Sequence, residues 1–98
     1  MLAASERTPA NLAALASSPF HRVRTWVAAD LHTPPATLAA MASDPEVTVR
    51  LQLTFNPHTP PEAIARLAAD SRPGVAREAL DHPGCPDHLR ALHQIRQV

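Results

Sequence analysis

The chain has 98 residues, with nine basic and nine acidic side chains and no net charge at pH 7. That length supports one small domain, and the zero balance gives no long-range field toward nucleic acid or an anionic membrane. A single cysteine excludes an internal disulfide and makes the cytoplasm the expected compartment, while no apolar run reaches the length of a membrane span. Every basic residue except histidine is Arg, which with the excess of Ala and Pro reads as the coding bias of a high-GC bacterium.

Residues 1–9 (MLAASERTP) lack a basic start and a long apolar core, so no signal peptide is expected. Leu2 to Pro9 instead lines up with Val27 to Pro34, which makes 1–7 the tail of a partial repeat. Thr8-Pro9, Thr33-Pro34, Thr59-Pro60 and Cys85-Pro86 then recur at steps of 25, 26 and 26 residues. Self-similarity at such a period predicts a solenoid, in which each unit buries its apolar face only by stacking on the next. The units are 8–32, 33–58 and 59–84, with a partial unit at 85–98, all in one domain spanning 1–98.

Each unit reads as two short helices. Thr is placed to cap the first, and Pro suits the first helical position, where its missing N–H is not needed. Glu62 follows Thr59 at capping-box spacing. Leu12, Leu15 and Ala16 fall at i, i+3, i+4, as do Leu38, Met41 and Ala42, then Ile64, Leu67 and Ala68, then Leu89, Leu92 and His93. Ser17-Ser18-Pro19, Ser43-Asp44-Pro45 and Asp70-Ser71-Arg72-Pro73 restart the chain with a second cap-plus-Pro signal. The second helices bury Val23 and Val27, Val49 and Leu53, and Val75 and Ala79. Asn56-Pro57 and His82-Pro83 end them, because the residue before proline is pushed out of the α region. No stretch alternates with period two, so the class is all-α, with either helix short enough to be 3₁₀. Residues 87–97 read as a first-type helix with no second helix behind it. A stack cut mid-unit at both ends calls for a partner over the ends, copies stacked end to end, or a longer array.

The segments VRTWVAADLHTP, SDPEVTVR and VRLQLTFNPHTPPEAIARLAAD resemble the leucine-rich repeat variant family of bacterial repeat proteins. The likeness covers nearly the whole chain and weakens in the third unit, where Ala76 replaces the repeat's Arg and Cys85 its Thr. It implies a right-handed superhelix of alternating α and 3₁₀ helices without sheet. The founding type also carries an iron–sulfur cluster on a cysteine-rich N-terminal segment; one cysteine cannot hold such a cluster, so no cofactor is expected. The resemblance points to architecture and leaves the ligand open.

Four sets of residues are candidates for function. Arg24 and Arg50 occupy equal places, with Arg77 one position off the column. Such a ladder could grip phosphates or a partner's carboxylates, or each Arg could bridge a neighbouring unit's Asp or a helix C-terminal carbonyl. Val47, Leu51 and Phe55 share the side of their helix opposite Val49 and Leu53, a second apolar stripe near Trp26. Exposed, the stripe would anchor a partner or a second copy; turned inward, it would be extra core. His82, Cys85 and His88, with His93 beyond, have the residue types of a zinc site, yet His82 stands for the Asn before Pro and Cys85 for the Thr. His32 and His58 recur as loop residues. No Gly-rich phosphate loop, activated nucleophile or paired carboxylates suggest catalysis.

The expected function is therefore a non-catalytic protein–protein interaction module contacting its partner through Trp26, Val47, Leu51 and Phe55, oriented by Arg24, Arg50 and Arg77. One alternative is polyanion or nucleic-acid binding along the Arg ladder, disfavoured by the charge balance and the 3% aromatic content. A second is a metal- or redox-linked accessory using Cys85 and its histidines. A homo-oligomer through the stripe or the ends is a further possibility.

Overall fold

A computed structural model of the chain describes residues 2–96. Among them the α-helices are α1 (Pro9–Leu15), α2 (His21–Ala29), α3 (Pro35–Ala40), α4 (Val47–Phe55), α5 (Pro61–Ala68), α6 (Pro73–Asp81) and α7 (Asp87–Arg96). Short 3₁₀ turns occupy Ala4–Glu6 and Met41–Ser43, and no described residue is in a strand. The all-α expectation holds. Both helices of each pair are α, however, so the regular α/3₁₀ alternation implied by the resemblance is not present; 3₁₀ geometry is confined to those two turns. The tail of the last expected helix, Gln97, lies outside the described residues.

The helices build a rod of 48 × 20 × 16 Å. Second-type helices form one row, α2 against α4 and α4 against α6, while α3 packs on α5, α1 meets α2, α5 meets α6, and α4 meets the 3₁₀ turn that follows α3. One seam of fully buried side chains runs through the stack: Leu12, Val27, Leu38, Val49, Leu53, Ile64, Leu67 and Val75. Spacing at i, i+3 and i, i+4 puts these residues on the facing stripes of successive helices, and burial of that apolar surface holds the short helices in place. Val23, expected inside, is only half-buried.

The start signals work differently from the simple capping reading. Thr8 does cap α1, its Oγ1 accepting from the Asn11 N–H at 3.2 Å. In the next two units a second proline moves the helix start one residue on, so that Pro34 and Pro60 hold the cap positions. Thr33 and Thr59 are thereby displaced from the N-cap, and the capping box with Glu62 does not form. Their buried hydroxyls instead donate backwards, to the Val27 carbonyl and the Leu53 carbonyl, each at 2.7 Å. Each adds a second donor to a carbonyl near the end of the preceding helix, which also accepts the Asp30 or the Asn56 N–H.

The corners between the helices of a unit are turns of one design. Ser18 Oγ, Asp44 Oδ1 and Asp70 Oδ1 each accept the N–H two residues on, from Phe20, Glu46 and Arg72. This local bond favours a turn over a helix start, and α4 begins only at Val47.

Truncating the seam should be costly. Leu38→Ala or Ile64→Ala is expected to lower unfolding stability by about 2–5 kcal/mol. Leu31→Ala, at a side chain 57% exposed, should change it by less than about 0.5 kcal/mol. Urea denaturation followed by circular dichroism measures both.

Candidate functional site

The arginine ladder is an internal feature of the stack. Arg24 on α2 donates through Nε and Nη2 to the two carboxylate oxygens of Asp44, at 2.8 and 3.2 Å, and through Nη1 to the Ser18 carbonyl at 2.9 Å. Arg50 on α4 repeats the arrangement one unit on, reaching Asp70 at 2.7 and 3.3 Å and the Asp44 carbonyl at 2.8 Å. Each guanidinium thus ties its own unit's corner to the corner of the next by a two-pronged bond that suits its planar fork. The charged ends are largely buried in both pairs. The Arg24 pKa is raised, first by its hydrogen bond to Asp44, so this guanidinium stays charged. Burial pushes the Asp70 carboxyl up, but the bonds from Arg50 and from the Arg72 N–H, with the charges of both arginines, outweigh it and hold the group below its ordinary value. The donors of Arg24 and Arg50 are therefore directed at the stack itself. Arg77 is exposed and makes no ion pair among the described residues.

A second set of bridges is built by residues that the sequence marks only as helix stops. Asp30, Asn56 and His82 hold equal places just after α2, α4 and α6, and all three are buried. Each accepts the N–H two residues on, from His32, His58 and Gly84. Asn56 also donates through Nδ2 to the Ala28 and Asp30 carbonyls of the preceding unit, at 2.9 and 3.1 Å. His82 does the same through Nε2 to the Asn56 carbonyl at 2.8 Å. These contacts require the neutral ring with its proton on Nε2. Asp30 has no such proton; its Oδ2 lies 3.6 Å from Arg7 Nη1 and has no hydrogen-bond partner among the described residues. The signal available in sequence was the residue type: Asn and His can accept and donate at once.

The same geometry places the three metal candidates. Both His82 nitrogens are engaged, which leaves no lone pair for a cation. Cys85 is buried in the core, and burial, against the charge and hydrogen bonding of Arg90, pushes its thiol pKa up, away from the thiolate that would bind metal or react. His88 is exposed on α7, and His82, Cys85 and His88 do not converge. No group of three or more His, Cys, Asp or Glu side chains suited to a metal occurs among the described residues.

The apolar stripe divides. Val47, Leu51 and Trp26 are half-buried and pack against the core, whereas Phe55 is 56% exposed. Trp26 lines a shallow hollow with Arg7, Asp30 and His32; Phe55 lines a different one with Glu78, Asp81 and Pro83. Of the expected Phe–Leu–Trp patch, an α-helical α4 thus packs Val47 and Leu51 against the core and leaves Phe55 outside. Phe20, the other phenylalanine of the chain, is 69% exposed. Further along, α5, α6 and α7 enclose an apolar groove of about 500 Å³.

Among known proteins, the family model of the leucine rich repeat variant matches residues 21–46. That span runs from the start of α2 to the threshold of α4, and so covers one period of the stack. No curated protein matches the chain, and no solved structure does. No described helix is long and apolar enough to cross a membrane.

The depressed Asp70 value has a definite sign. A carboxyl held below its unfolded value stabilises the fold at pH above the ordinary carboxylate range, about 4, and that contribution is lost as pH falls through the folded value. Stability should therefore drop between about pH 5 and pH 2, and the drop should be shallower in Arg50→Ala, which lacks the main partner. Urea midpoints across that range test this.

Proposed function

We propose that this chain, whose repeat unit is that of the leucine rich repeat variant family, is a non-catalytic module that binds another protein in the bacterial cytoplasm. One observation supports this above the others: both phenylalanines are on the outside while Leu, Val, Ile and Ala fill the seam. A core assembled without its phenylalanines leaves large apolar rings at the surface, and such rings are favoured anchors at protein interfaces. Phe55 is the preferred central contact, with Trp26, Val47 and Leu51 forming the firm apolar ground around its helix and Arg77 as the cation available to a partner. Arg24 and Arg50 contribute by fixing the units that carry these groups.

The polyanion reading has less support, since its two best residues already hold carboxylates. The metal or redox reading has less again, with His82 engaged on both sides and Cys85 buried.

Capture from the native host tests the proposal. Immobilised wild-type chain should retain a specific protein, and Phe55→Asp, with an unchanged melting temperature, should lose it. Leu51→Asp is unsuitable as a control, because a half-buried carboxylate on the core would unfold the chain. Retention of no host protein, or equal retention by Phe55→Asp, would overturn the assignment.

A further inference from the structure

We infer that the hollow beside Phe55, between the ends of α4 and α6, receives an arginine side chain of a partner protein; this rests on the interaction role proposed above and names the partner's chemistry at that same contact.

The position is outward in every unit. Ala29, Phe55 and Asp81 hold equal places as the last residues of α2, α4 and α6, and all three are exposed. Phe55 is on the middle helix of the row, with α2 on one side and α6 on the other. Its exposure therefore belongs to the position and not to an end of the stack. The ring borders a shallow hollow of about 350 Å³, walled also by Pro57 and Pro83 and by Glu78 and Asp81. The prolines fix their turns and bring no N–H donor to the hollow. At the previous junction, the places of Phe55, Glu78 and Asp81 are held by Ala29, Gln52 and Phe55. An aromatic ring flanked by two carboxylates thus occurs between α4 and α6 and not between α2 and α4.

Charge identifies the occupant. Neither Glu78 nor Asp81 has an ion pair or a side-chain hydrogen bond among the described residues. The other polar side chains of the hollow are already engaged. Thr54 Oγ1 donates to the Leu51 carbonyl at 2.6 Å, and His82 uses both ring nitrogens. No arginine lines the hollow. Arg90 donates to the Leu80 and His82 carbonyls, and Arg77 lines the groove on the α7 side of α6. Two unpaired carboxylates beside an aromatic face call for a cation that is also flat. A guanidinium can lie on the Phe55 ring while its edge donates to Glu78 and Asp81; an ammonium offers only a point charge. A purely apolar side chain would cover Phe55 but strip water from both carboxylates without replacing it.

Random peptides displayed on phage and selected on the immobilised chain are the probe. Enriched peptides should carry an arginine, and fluorescence anisotropy should show their binding weakened about tenfold or more in Glu78→Gln/Asp81→Asn. Phe55→Leu keeps an apolar side chain but removes the ring's negative face, and should weaken binding about threefold or more. Lysine in place of the peptide's arginine should bind less tightly, and glutamate there should recover affinity for Glu78→Lys/Asp81→Lys. Thermal unfolding of each variant separates loss of the site from loss of the fold. Failure to enrich any peptide, enriched sequences without arginine, lysine as strong as arginine, or binding indifferent to Glu78→Gln/Asp81→Asn would overturn the inference. So would agmatine binding as tightly as the peptides, which would make the hollow a site for a free small cation. A dimer in light scattering that Phe55→Asp dissolves would overturn it too, since the occupant would then be a second copy of this chain. Any of these leaves the general role standing if a host partner is still captured through Phe55, whereas absence of any host partner removes that role by itself.

Discussion

A stack of two-helix units depends on how each unit is fastened to the next, and here the fastening is polar as well as apolar. Helices of six to ten residues are marginal alone and leave most of their terminal carbonyls without internal partners. The chain answers both problems with side chains that reach along the stack. Arg24 and Arg50 tie consecutive corners together, and Asn56 and His82 tie the opposite turns. Thr33 and Thr59 close the helix ends within each turn. Apolar burial supplies the driving force but is tolerant of sliding; directional bonds to fixed carbonyls and carboxylates admit one register.

This division of labour shapes what the surface can do. Residues that look chemically capable in sequence are mostly part of the fastening: two arginines, a histidine and the threonines. What remains outward is a small set, notably Phe20 and Phe55, Arg77, and the edge of α7. The open groove lies on the side of α6 equivalent to the side of α4 on which α6 itself packs.

Much of the fold was legible in the chain. The Thr-Pro recurrence and the i, i+3, i+4 spacing located the helices and most of the seam, since Leu38, Ile64, Val49 and Leu53 are all fully buried. The capping roles were less so: a second proline in Thr33-Pro34-Pro35 shifts the helix start by one residue, and that shift turns a cap for the next helix into a closing bond for the previous one. The Asn56 and His82 bridges were hidden because they join residues 26 to 28 apart, and spacing within one unit carries no sign of them. Val47, Leu51 and Phe55 follow one another at i, i+4 along α4, but periodicity alone does not say how far a neighbouring helix overlaps them. The groove was invisible for the same reason.

The central claim is that the Arg–Asp rungs couple neighbouring units, and a double-mutant cycle on Arg50 and Asp70 tests it most directly. Urea denaturation of wild type, Arg50→Ala, Asp70→Ala and the double variant yields the interaction energy of the pair. Coupling of about 1–3 kcal/mol is expected, with the double variant much less destabilised than the sum of the two single ones. Additive effects, with coupling near zero, would contradict it and leave apolar packing alone to set the register.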